Sequence, residues 1–122
     1  MDVDRQDIVD KIDQLDTPDE PTQKRVRDVL VQHAEAAMEL LTGNLPVVQG
    51  RTRRGLVRVL VEAGDRRALL PLMRFVFDTA GDHHEADARA IAMRHLCELA
   101  APEDASRLFQ FFVDLRLDDA PY

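Results

Sequence analysis

The chain has 122 residues, 45% hydrophobic and 32% charged, with a net charge of −7. That balance excludes a disordered tail and supplies enough apolar material for a core without covalent staples. The single cysteine, Cys97, excludes an intramolecular disulfide and a cysteine-rich zinc site. No apolar run approaches the roughly 20 residues that span a bilayer, and the opening residues MDVDRQD lack a basic segment followed by an apolar one. The expectation is one domain over residues 1–122 in the cytoplasm.

In chain order, Asp4 to Leu15 places Ile8, Val9, Ile12 and Leu15 on one narrow helical stripe, with aspartates elsewhere. Thr17 and Glu20 then have capping-box spacing and Pro18 suits a first helical position, so a second helix starts between 18 and 22. It runs to about Thr42 and stops at Gly43 and Asn44, with Val26, Val29, Leu30, Ala37, Leu40 and Leu41 as its buried face and His33 at the centre of that face. His33 reads as a core histidine with a hydrogen-bond partner. Residues 43–50, GNLPVVQG, form a loop expected to lie over the core.

A helix over about 52–63 is apolar on all sides except a strip of Arg54, Arg58 and Glu62, the pattern of a sandwiched central helix. Gly64 and Asp65 supply a stop and a cap, giving a very tight helical hairpin into a helix over about 66–78. Pro71 lies inside that helix, where it removes a backbone donor and bends the helix or delays its regular start. Asp82 to Glu85 has capping-box spacing and opens a helix that reaches about Leu99. A last helix, about 102–116, carries Leu108, Phe109, Phe111, Phe112, Val113 and Leu115. Its apolar arc of roughly 240° exceeds the ~100° of an ordinary surface helix. No strand-like alternation occurs, so the fold is expected to be all-α.

Sliding the sequence by 36 positions pairs Arg53 with Arg89, Arg58 with Arg94, Leu60 with Leu96, Glu62 with Glu98, Leu72 with Leu108, Phe75 with Phe111 and Asp78 with Asp114. Chance gives roughly two such identities, so an internal repeat is expected. Charge follows the repeat: residues 51–74 carry seven arginines against Glu62 and Asp65, while residues 1–20 hold eight acids.

Gly64 to Phe75, GDRRALLPLMRF, resembles the turn and second helix of a HEAT-like repeat, including the proline within that helix. Arg53 to Ala63 is similar to the first helix of such a repeat, and Ala88 to Ala92 with Leu96 echoes it. The likeness covers residues 51–116, and the first pair of helices departs from it. It implies a short right-handed α-α superhelix, a HEAT-like solenoid of about six helices in three antiparallel hairpins, of the kind used for protein binding. Among HEAT-like enzymes, the di-iron hydroxylases need several His-Glu pairs, and His84-Glu85 is the single one here.

Three groups carry possible chemistry. His83, His84, Glu85 and Asp87 have metal-competent donors, but adjacent helical residues point about 100° apart and do not converge on one ion, so capping and solvated charge is the expected role. Cys97 lies with Ala90 and Met93 on a small-residue face and reads as a buried, inert thiol. The arginines are the functional candidates, with Arg58 and Glu62 as an i,i+4 pair. The expected function is a non-catalytic interaction or scaffold module without metal or cofactor. It docks a protein, or a second copy as a homodimer, through Leu108, Phe111, Phe112 and Leu115, while Arg54, Arg58, Arg66, Arg67 and Arg74 steer an acidic partner. The alternative is a nucleic-acid-associated accessory protein using Arg51, Arg53, Arg54, Arg58, Arg66 and Arg67; flanking acids and the absence of interleaved aromatics oppose it.

Overall fold

A computed structural model describes residues 4–99 and Gln110. Those residues are all-helical: α1 (Arg5–Gln14), α2 (Glu20–Gln32), α3 (Ala34–Asn44), α4 (Gly50–Ala63), α5 (Leu69–Asp78) and α6 (Ala86–Leu99). Of the helix expected over 102–116 only Gln110 is among the described residues; Leu108, Phe111, Phe112 and Leu115 lie outside them.

Helices α1 and α2 begin where an aspartate takes an orphan amide, whereas α3 and α4 start without a side-chain cap. Asp4 accepts from Gln6 N–H and Asp19 from Thr22 N–H. Asp19 therefore caps α2 in place of the expected Thr17, whose hydroxyl instead accepts from Asp19 N–H at 3.2 Å. Pro21 then sits in the first turn, where no intrahelical donor is required.

The long second helix of the sequence reading is two helices. His33, at φ −104° and ψ 6°, ends α2 and begins α3. It is exposed rather than central to the buried face, because the break turns its side chain out of the stripe that Leu30 and Ala34 continue. Neither proline nor glycine marks this break, so the helical periodicity runs through it unchanged.

The corner after α4 follows its sequence signals closely. Gly64 takes a left-handed φ of 65°, which a side chain would strain, and Asp65 accepts from Arg67 N–H. A 3-10 turn, Arg66–Ala68, precedes α5, so the regular helix starts only two residues before Pro71. The proline thus occupies the first turn, where its missing N–H costs no ladder bond. The same corner recurs before α6: Gly81 has φ 84°, Asp82 accepts from His84 N–H, and a 3-10 turn His83–Glu85 precedes the α-helix.

Helix α4 is the central element. It packs between α2 and α6 and also touches α1 and α3, while α5 packs chiefly on α6 and α1 on α2 and α3. The turn between α4 and α5 is tight, but the helical hairpin expected there does not pack as one: α5 lies chiefly on α6, and the 3-10 segment before it leans on α3. Gly55 allows α4 its close approach to the α1–α2 corner: a Cβ there would lie 3.1 Å from Leu15 Cδ2. One apolar cluster runs through all six helices, from Ile8 and Ile12 through Leu30, Met38 and Leu56 to Leu72 and Ala92. Within the loop 43–50, Leu45 joins this core whereas Val47 is 72% exposed.

Helices α4 and α6 are structural counterparts as well as sequence echoes. Arg53, fourth in α4, donates from Nε to Val48 O at 2.8 Å; Arg89, fourth in α6, donates from Nε to Val76 O at 3.2 Å. Leu56, Val59 and Leu60 are buried in α4, as are Ala92, His95 and Leu96 at the same offsets in α6.

Candidate interaction surface

The arginines that cluster in sequence are dispersed in space. Spacing of three and four residues on α4 puts Arg51, Arg54 and Arg58 on one face, beside the α1–α2 corner and the start of α6. They line a groove of about 280 Å³ together with Glu20, Asp87 and Ile91. Arg53 points the other way, into the fold. Arg66 and Arg67 sit at the corner before α5, and Arg74 borders a separate, mainly apolar groove of about 270 Å³ lined by Leu45, Pro46, Pro71 and Phe75.

Most of this positive charge is compensated within the chain. Arg51 faces Asp16 at 3.7 Å and Arg58 faces Glu20 at 3.3 Å. Glu20 is shared with Arg27, at 2.8 Å, and Arg27 also reaches Glu62 at 3.7 Å. Glu62 therefore pairs with α2 and not with Arg58 as its i,i+4 spacing suggested. The reason is Arg27: it is only 6% exposed, and a buried guanidinium draws every carboxylate within reach. Arg67 is tied to Asp65 at 2.7 Å and to Glu35 O at 3.0 Å, and Arg74 to Asp78 at 2.9 Å. The hydrogen bond from Arg67 holds the Asp65 carboxyl below its ordinary range and raises Arg67 in turn. Arg54 has no acid within ion-pair distance among the described residues.

The candidate metal donors do not converge. His83 and His84 are exposed, while Glu85 turns inward and meets Arg53 at 3.2 Å, with side chains 6% and 15% exposed. The Arg53 guanidinium also lies 5.8 Å from the centre of the Phe75 ring, a cation–π distance. Glu85 thus serves a buried ion pair, not the capping box its spacing suggested; Asp82 alone caps. No group of three or more metal-competent side chains is present among the described residues.

Cys97 is exposed, contrary to the buried thiol expected, and so are its face-mates Ala90 and Met93. This face of α6 corresponds to the α4 face that contains Val57, which is fully buried. In α4 the neighbouring helices cover it; among the described residues of α6, Met93 remains 48% exposed.

Sequence reading missed three buried polar groups. Arg27 Nε, Glu85 Oε2 and His95 Nε2 are enclosed without a hydrogen bond. Burial lowers the His95 pKa, opposed by Glu98 nearby. A signal for Glu85 was available: the two Gly-Asp corners align Glu85 with Ala68, which is fully buried. In comparison with known proteins, no family model matches the chain, and no curated protein or solved structure matches it significantly.

Proposed function

We propose that this chain is a non-catalytic protein-interaction module of HEAT-like build, a short α-α superhelix that docks a partner or a second copy of itself through its apolar C-terminal side. The observation that carries this reading is the pair Val57 and Met93. The two occupy equivalent positions in α4 and α6, yet the first is sealed by a neighbouring layer and the second is 48% exposed. A repeat stack buries equivalent positions under neighbouring layers, so an exposed apolar position that matches a buried one marks a surface able to receive another helix. The apolar residues Leu108, Phe111, Phe112 and Leu115 follow α6 in sequence and are part of the proposed docking set. Central arginines steer the approach of an acidic partner, an effect on association rate more than on final affinity.

The matching carbonyl contacts of Arg53 and Arg89, 36 positions apart, support the repeat reading. The test is Met93→Glu, with Phe112→Glu beside it. Light scattering should show the wild-type mass rising with concentration, or tagged protein should retain a specific partner from native lysate; both variants should lose whichever association is seen while keeping their melting temperature. A single-chain mass throughout, with the same retained proteins for wild type and both variants, would contradict the proposal.

A further inference from the structure

The groove beside Arg54 joins a second groove at one residue. Ile91, half-buried on α6, lines the cleft that holds Arg54 and also an adjoining cleft of about 260 Å³ between α4 and α6 that holds Val61, Arg94 and Glu98. Arg54 and Arg94 thus flank an accessible apolar side chain across the α4–α6 seam. Neither arginine has an acid within ion-pair distance or a hydrogen bond among the described residues, whereas Arg51 and Arg58 in the same layer are compensated by Asp16 and Glu20. The acids Asp87 and Glu98 line the two clefts without closing on either cation.

We infer that Arg54, Ile91 and Arg94 form a docking site for a short acidic protein segment that carries carboxylates on both sides of an apolar side chain. This rests on the part of the proposed function that assigns an acidic partner to the central arginines, and it supplies the residues and the partner's chemistry. Charge complementarity selects the occupant. Two uncompensated guanidiniums ask for two carboxylates, and Ile91 between them asks for an apolar group in place of water. A phosphate backbone fits poorly, because Glu20, Asp87 and Glu98 line the same clefts and would face its continuous negative charge. Arg94 is new to the candidate set: in sequence it is only the echo of Arg58, and the structure separates the two by compensating one of them.

The test is fluorescence anisotropy at low salt with a short labelled peptide alternating glutamate and leucine, compared with glutamine–leucine and glutamate–glycine versions and with a DNA duplex. The glutamate–leucine peptide should bind at least about tenfold more tightly than the other two peptides, and more tightly than DNA. Arg54→Glu and Arg94→Glu should each weaken it at least about fivefold, and Arg5→Ala, exposed at the start of α1, should leave it unchanged. Neither Arg54 nor Arg94 has a bond to lose, so circular dichroism should show both variants folded. Equal binding of the glutamine–leucine peptide, insensitivity to both substitutions, tighter DNA binding, or no binding of any probe would each overturn the inference. If Met93→Glu still abolishes partner or self association while these peptides fail, the C-terminal docking reading stands and this site alone is lost.

Discussion

Helices α4 and α6 hold similar residues 36 positions apart in two different settings. Both start with an arginine that reaches back to a carbonyl, and both bury the same three positions. In α4 Val57 is fully buried between half-buried Arg54 and Val61; in α6 the matching positions Ala90, Met93 and Cys97 are exposed. The difference shows how one helix pattern can be enclosed by its neighbours in one place and stand exposed, among the described residues, in another. What a position does is set by what packs against it.

The sharpest way to break this equivalence is at the arginines. Arg53→Ala strands the buried Glu85 carboxylate and should cost about 3 kcal/mol or more, whereas Arg89→Ala removes contacts to a carbonyl and should cost about 1 kcal/mol. The double variant Arg53→Met with Glu85→Leu should recover most of the loss. Urea denaturation measures all three; equal costs for the two arginines would show that the Glu85 pair carries little of the difference.

At the next level, Val57→Ala should cost about 2 kcal/mol by leaving an unfilled space, and Met93→Ala under about 0.5 kcal/mol. Similar losses at both positions would mean that the α6 face is covered. The two corners offer a smaller contrast: Asp82→Ala should cost about 1 kcal/mol through its cap, and a much larger effect would implicate contacts beyond the His84 amide.

The smallest effect is a pH dependence. His95 occupies the α6 position that Val59 fills in α4, and burial lowers its pKa. A depressed folded-state pKa means the unfolded chain binds the proton more readily, so the His95 contribution is fully present above about pH 6.5 and is lost as pH falls through the lower folded value. His95→Val should therefore flatten the acid side of the thermal-melting profile relative to wild type. An unchanged slope would show that His95 gains a partner or water on protonation.

The all-helical class, the capped corners and the sandwiched α4 were legible because each rests on local chemistry: a period of apolar residues, an aspartate before a helix, a glycine at positive φ. The break at His33 was not, since the stripe through Leu30 and Ala34 continues across it and nothing local marks the change of direction. Arginine roles were only half legible. The helical wheel aligns Arg51, Arg54 and Arg58 correctly, but which arginine is compensated depends on acids brought by other elements, such as Glu20 at the start of α2. Likewise Cys97 was read as buried from its small neighbours, when their exposure depends on what packs against α6.

Because Cys97 lies on the face in question and is the only thiol, it reports directly on the central claim. Its alkylation rate by a maleimide can be followed from nanomolar to high micromolar protein and in native lysate. The account predicts free-thiol reactivity at high dilution and clear protection when the chain self-associates or meets its partner. A rate that is slow even at high dilution, or that stays at the free-thiol value under every condition, would contradict it.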